Sequence, residues 1–218
     1  EEKKSIFTIG SPDLDIILKK KLPSINYVKK RYSIKFKNYL ILLWHPVTSK
    51  VESIKKETIK LTNFLKKLNK NTIVIYPNND PGCNQIINIY NNLKNKHFKI
   101  IKNLRFENFL SLLKNSDFII GNSSSAIYEA PMFNVPAINI GDRQYKRLIH
   151  SSIKNFEIEK LELKGVTKFL NNYKKIRKTV FGNGNSDKKF IKILKKKNFF
   201  EISKQKFFSE VNKNAFYK

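Results

Sequence analysis

Cysteine is almost absent from this chain. Cys83 stands alone, so no disulfide can form within it, and such a chain fits a reducing cytosol. No run of 18 apolar residues occurs, so no transmembrane helix is expected. The opening Glu1-Glu2-Lys3-Lys4 is not a signal peptide, and with no Met at its start the chain reads as a fragment or a processed product. Arginine is scarce too: of 44 basic residues only five are Arg, at Arg31, Arg105, Arg143, Arg147 and Arg177. The lysines are spread along the chain among many Asn, Ile and Phe, as a compositional bias on solvated positions would produce. The formal charge of +27 therefore implies weak attraction to polyanions and no specific nucleic-acid surface, which would gather its charge on one face. There is no Walker phosphate loop and no nucleophile elbow. No His/Cys/carboxylate group has metal-ligand spacing, and neither metal nor cofactor is expected.

What is present is alternation. Ser5–Ile9 reads as a short strand without a local partner, followed by helices over 13–22 and, capped by Ser24, over 25–32. From Asn38 the order is regular. Strands are predicted at 39–44, 72–76, 97–101, 118–120 and 136–140. Helices are predicted at 51–68, 84–93 and 108–115, with a further helix starting in the serines after Gly121. Further helices are expected at 161–173, at 186–196 with Ser186 as its cap, and at 198–211. At 218 residues the chain can bury a core. The pattern predicts an α/β fold with a Rossmann-like parallel sheet and helices on both faces.

In such sheets ligands sit at the carboxyl ends of the strands. Polar clusters fall at those ends: residues 45–48, 77–82, 121–125 and 141–144. The topology predicts that they meet at one edge. Ser123, Ser124 and Ser125 follow Gly121 where a helix begins, and Glu129 comes about one turn later. These serines either cap the helix or line a phosphate cradle there. His45, at a strand end before Pro46, is either structural or a contact for phosphate or chemistry. Asn78 and Asp80 suit a cation, a sugar or a capped turn. Phe106 and Phe109 suit a core or a stacking surface for a base.

Taken together, these segments resemble the UDP-N-acetylglucosamine (UDP-GlcNAc) 2-epimerase family, in particular its hydrolysing, sialic-acid-pathway branch. The resemblance is carried in family order by GSPDLD at 10–15, WHPVT at 44–48, YPNNDPG at 76–82, NLRFENFLSLLKNSD at 103–117, GNSSSAIYEAP at 121–131, NIGDRQYKR at 139–147 and FGNGNS at 181–186. It implies the C-terminal half of a GT-B arrangement of two Rossmann-like domains. Residues 1–37 would be the crossover and a remnant of the N-terminal domain, 38–196 the nucleotide-sugar-binding domain, and 197–218 a C-terminal helix. It also implies roles: Ser123, Ser124 and Ser125 at the diphosphate, Glu129 at the ribose, Phe109 beside the uracil, and His45 as the catalytic-region histidine. Arg143 and Gln144 would contact the sugar nucleotide, and Lys146 stands where the family commonly has Gly; Asn78 and Asp80, read from their place at a strand end, are expected to join the substrate contacts.

The reaction implied is hydrolysis of UDP-GlcNAc to N-acetylmannosamine and UDP. The proton-transfer carboxylates of that reaction belong to the missing N-terminal domain, so this chain alone is expected to bind UDP weakly and turn nothing over. The whole enzyme is expected to be a cytoplasmic homo-oligomer acting on UDP-GlcNAc or a related nucleotide sugar. It is expected to bind no membrane. The competing readings are a GT-B glycosyltransferase domain and a basic nucleic-acid-binding module.

Overall fold

The computed structural model describes residues 5–19, 21–93, 95–174, 181–202 and 205. They fall into two compact units, one made of the described residues up to 19 with those from 181 onward, and the other of those between 21 and 174.

In the first unit, residues 6–11 are irregular rather than a strand, because no neighbouring strand is there to complete a ladder among the described residues. Helix α1 covers Pro12–Lys19. Pro12 suits its first position, where the missing N–H is no loss. The helix predicted over 186–196 is α8, Ser186–Leu194, and Ser186 is its first residue rather than its side-chain cap. The cap comes from α1: the Asp15 carboxylate accepts from Ser186 N at 2.8 Å, Ser186 Oγ at 2.6 Å and Asp187 N at 3.2 Å. Lys197–Phe199 forms a 3-10 turn. The helix predicted over 198–211 lies largely outside the described residues.

The second unit opens with α2, Ile25–Arg31, whose Ser24 cap accepts from Tyr27 N at 3.3 Å. Strands β1 (Leu40–Leu43), β2 (Thr72–Ile75), β3 (Phe98–Ile101), β4 (Ile119–Gly121), β5 (Ala137–Ile140) and β6 (Ile153–Phe156) form one parallel sheet in the order β3-β2-β1-β4-β5-β6. The intervening helices are α3 (Ile54–Leu68), α4 (Cys83–Asn91), α5 (Phe106–Lys114) and α6 (Glu129–Met132), and α7 (Leu163–Asn172) follows β6. Alternate residues of a strand point to opposite faces. Leu40, Leu42 and Trp44 pack with Ile54, Leu61 and Leu65 of α3, Ile86 and Tyr90 of α4 and Val166 of α7. On the opposite parity the Tyr39 hydroxyl donates to Leu112 O of α5 at 2.8 Å, which puts α5 on the other face. Both faces are therefore covered, as parallel sheets require. Each fully buried Leu or Ile in these layers contributes roughly 1.5–3 kcal/mol.

Two elements depart from expectation. Strand β6 was not foreseen: it lies at the edge of the sheet and carries the exposed Lys154 and Asn155, so the apolar run is missing. The helix expected to begin in the serines is broken. A 3-10 turn over Ser124–Ala126 precedes the four-residue α6. Pro131 has no N–H for a bond to Ile127 and its ring would crowd that carbonyl, which prevents one continuous helix.

In this strand order the chain runs outward from β1 to β3, then returns to place β4 on the other edge of β1. The switch point lies between the carboxyl ends of β1 and β4, where such sheets open a crevice.

Candidate functional site

The pair β1–β4 ends at Leu43 opposite Gly121. Gly121 has φ +141°, and a Cβ there would stand 2.0 Å from Leu43 O. No other residue type fits this approach. The next residue continues the pairing with its side chain: His45 N donates to Asn122 Oδ1 at 2.7 Å, and Asn122 Nδ2 donates to His45 O at 2.8 Å. Asn122 O in turn accepts from Arg143 at 3.2 Å and from Gln144 Nε2 at 3.2 Å. On the other flank Asn78 N donates to His45 Nδ1 at 3.1 Å, and Asn78 Nδ2 donates to Asp80 Oδ2. Hydrogen bonds thus run through all the polar strand-end clusters, and the predicted meeting at one edge is observed.

His45 is half-buried. Burial, with Arg143 adding to it, pushes its imidazole down to about 4, while Asp80 and the hydrogen bond to Asn78 pull the other way. At neutral pH the ring is therefore neutral. Because Nδ1 accepts from a backbone N–H, the ring proton sits on Nε2. His45 can thus donate a hydrogen bond without carrying charge, which suits an anionic ligand better than a base suited to taking a proton from carbon.

The serines differ among themselves. Ser123 is buried and its Oγ accepts from Ser125 N at 3.3 Å, while Ser124 and Ser125 are half-buried and face outward in part. Glu129 begins α6, and Phe109 sits on α5, which packs against α6. Phe109 is only 6% exposed, whereas Phe106, 46% exposed, lies beside it at 6.4 Å between ring centroids. Arg143 is half-buried and Gln144 is 3% exposed. Lys146 has φ +59°, a left-handed conformation in which glycine is the easier residue.

A cleft of about 680 Å³ adjoins this network, lined by Asn122 and Arg143 together with Trp44, Lys50, Asp142 and Phe156. Lys50 Nζ and Asp142 Oδ2 form an exposed ion pair of 2.6 Å beside it. Among the described residues no group of His, Cys, Asp and Glu side chains is placed to hold a metal. No helix of the described residues is long and apolar enough to cross a membrane. The residue that sequence reasoning left out of the site is Asn122. Its signal was present, in an amide placed directly after the strand-end Gly121.

Comparison with known proteins gives a consistent family. Residues 1–195 match the UDP-N-acetylglucosamine 2-epimerase family. Over 159 residues, 73% of this chain and 42% of the relative, it is 39% identical to "UDP-N-acetylglucosamine 2-epimerase" of Neisseria meningitidis serogroup B. Over 200 residues, 89% of this chain and 52% of the relative, it is 30% identical to "UDP-N,N'-diacetylbacillosamine 2-epimerase (hydrolyzing)" of Legionella pneumophila. The chain thus spans about half the length of the curated relatives it matches. The fold is similar to that of Methanocaldococcus jannaschii UDP-GlcNAc 2-epimerase, solved in complex with UDP-GlcNAc and UDP. That likeness has a TM-score of 0.69 at 24% identity and covers 89% of this chain and 56% of that one.

Proposed function

The chain belongs to the UDP-N-acetylglucosamine 2-epimerase family, and from that premise we propose that it is the nucleotide-sugar-binding C-terminal half of a hydrolysing enzyme of that family. The substrate is UDP-GlcNAc or a close N-acylated relative, and the products are the 2-epimeric free sugar and UDP. Relatives with "hydrolyzing" in their names, from Legionella pneumophila and Campylobacter jejuni, support the branch. The relative called "Polysialic acid biosynthesis protein P7", 32% identical, supports a place in the supply of sialic-acid-type sugars.

The observation that carries the reading is the single hydrogen-bonded network joining His45, Asn78, Asn122, Arg143 and Gln144 at the β1–β4 switch point. In the reaction a base removes the proton from sugar C2 as the C1–O bond to UDP breaks. Water then adds to the resulting glycal at C1, with a proton returned to C2 on the opposite face. The C1–O bond breaks readily only if the developing charge on the diphosphate is met. On this reading Ser123, Ser124 and Ser125 with their backbone N–H groups hold the diphosphate, and neutral His45 donates to it through Nε2. Arg143 supplies positive charge, and Gln144, Asn78 and Asp80 shape the sugar side. Glu129 accepts from the ribose hydroxyls, and Phe109 backs the base. The groups that move the proton belong to an N-terminal half. Residues 1–37 are read as the crossover from that half and 38–196 as the nucleotide-sugar domain. The whole enzyme is a homo-oligomer in the cytoplasm, where nucleotide sugars are available.

Calorimetric titration of the chain with UDP tests the binding half of this reading, and saturable binding that depends on Glu129 is expected. Turnover is tested by incubating UDP-GlcNAc with the chain alone and with the chain joined to an N-terminal half. Only the joined protein is expected to release UDP and N-acetylmannosamine, without any acceptor. UDP release that requires an acceptor sugar would make the protein a transferase instead.

A further inference from the structure

The strongest convergence in the molecule falls on a residue that is given no contact with the substrate in the reading above. Asn122 is 1% exposed. Its side chain uses both polar atoms on the main chain of His45, at 2.7 and 2.8 Å. Its carbonyl is taken by Arg143 and Gln144, each at 3.2 Å, and its N–H by Leu43 O at 3.3 Å. A residue that merely extended the β1–β4 pairing would need only the bonds to residues 43 and 45. The additional partners are two further residues of the strand-end network, drawn from a different loop.

We propose that Asn122 is a positioning residue: it clamps the backbone at residue 45 so that the His45 ring meets the Asn78 N–H through Nδ1 and presents Nε2–H to the substrate diphosphate, and it ties that orientation to the 143–144 loop. The proposal rests on the nucleotide-sugar reading only for the identity of the ligand. The orientation is a property of the protein itself. With the clamp in place, the strand end and the loop bearing Arg143 move as one piece. Without it, the hydrogen bond that remains at residue 45 is the one made by its ring, and the Nδ1 bond to Asn78 loses its fixed geometry. The charged groups that act on the His45 ring are Arg143 and Asp80. Loss of the clamp lets water reach the ring and shifts the ring relative to both.

The test compares the chain with Asn122→Ala and Asn122→Asp variants, using nitrogen-15 NMR of the histidine rings, with His45 assigned by His45→Gln. In the parent chain His45 is expected to be the neutral Nε2–H tautomer at pH 7. Asn122→Ala is expected to give a mixture of tautomers and a titration moved back toward the ordinary imidazole range. Asn122→Asp keeps an acceptor for His45 N–H, so it supplies a second variant that does not strand that donor. It loses the donor to His45 O and adds a negative charge, and the His45 titration is expected to rise. UDP affinity is expected to fall roughly tenfold in Asn122→Ala, with most of that loss absent when His45 is already Gln. Unchanged His45 tautomer and titration in both variants would overturn the proposal, as would losses of UDP affinity that simply add. Failure of the parent chain to bind UDP would count against the nucleotide-sugar reading, while the ring spectra would still decide the role of Asn122.

Discussion

Asp15 and Ser186 stand 171 positions apart in the sequence, yet one carboxylate oxygen of Asp15 accepts both the backbone N–H and the hydroxyl of Ser186. It closes the N-terminus of α8 with a charge of the sign that a helix N-terminus favours. Removing a buried acceptor strands its donors. Asp15→Ala is therefore expected to lower stability by about 2 kcal/mol, read as a lower midpoint in urea unfolding. Asp15→Asn, which keeps an acceptor, should lose less.

The depressed titration of His45 makes stability depend on pH in a definite direction. The unfolded chain takes up a proton near the ordinary 6.5, whereas the folded ring does so only at about 4. Between these values the unfolded state binds more protons, so acid favours unfolding. The contribution is complete above about 6.5 and is lost as pH falls toward 4. Its size is on the order of 1–3 kcal/mol. Thermal melts of the parent and of His45→Gln between these pH values should diverge, with the variant showing the flatter profile.

The two phenylalanines of α5 are expected to separate cleanly. Phe109 is buried, so Phe109→Ala should cost about 3–5 kcal/mol of stability as a core truncation. Phe106 is exposed and stacked on it, so Phe106→Ala should leave unfolding nearly unchanged. Weaker UDP binding by folded Phe106→Ala would assign the exposed ring, rather than the buried one, to the face of the base.

Gly121→Ala should be among the most damaging single changes in the chain. The added methyl would lie 2.0 Å from Leu43 O, and the backbone there is at φ +141°. Neither clash relaxes without parting β1 from β4. A loss of more than about 3 kcal/mol is expected, visible as a collapsed melting temperature.

Lys146 offers the opposite case. Its φ of +59° strains any residue with a Cβ. Lys146→Gly should raise stability by about 0.5 kcal/mol even after losing the contact of the Lys146 ammonium with the Tyr145 ring, and Lys146→Val should lower it by about 1 kcal/mol or more. Urea midpoints of the two variants on either side of the parent would bear this out.

Much of the fold was legible because burial writes itself into composition. The apolar runs of β1, β2, β4 and β5 are buried on both faces, and α3 shows its stripe plainly, so their existence and order followed from pattern. Strand β6 was hidden because an edge strand carrying Lys154 and Asn155 has no such run. The break after the serines was hidden because its cause, Pro131, lies several residues beyond the expected start of the helix. Asn122 was readable as a cap or a turn residue, and nothing local distinguishes those uses from a clamp on a residue 77 positions away.

By itself the sequence determined the class of the fold, the set of polar clusters at strand ends and the resemblance to a nucleotide-sugar family, since all of these depend on residue type and local spacing. Only the tertiary structure decided which ring nitrogen of His45 carries the proton, that Asn122 joins His45 to Arg143 and Gln144, and that Asp15 caps α8. Those outcomes depend on hydrogen bonds between residues distant in sequence, and such bonds exist only once the strand order has placed the ends of β1 and β4 side by side and packing has brought α1 to α8.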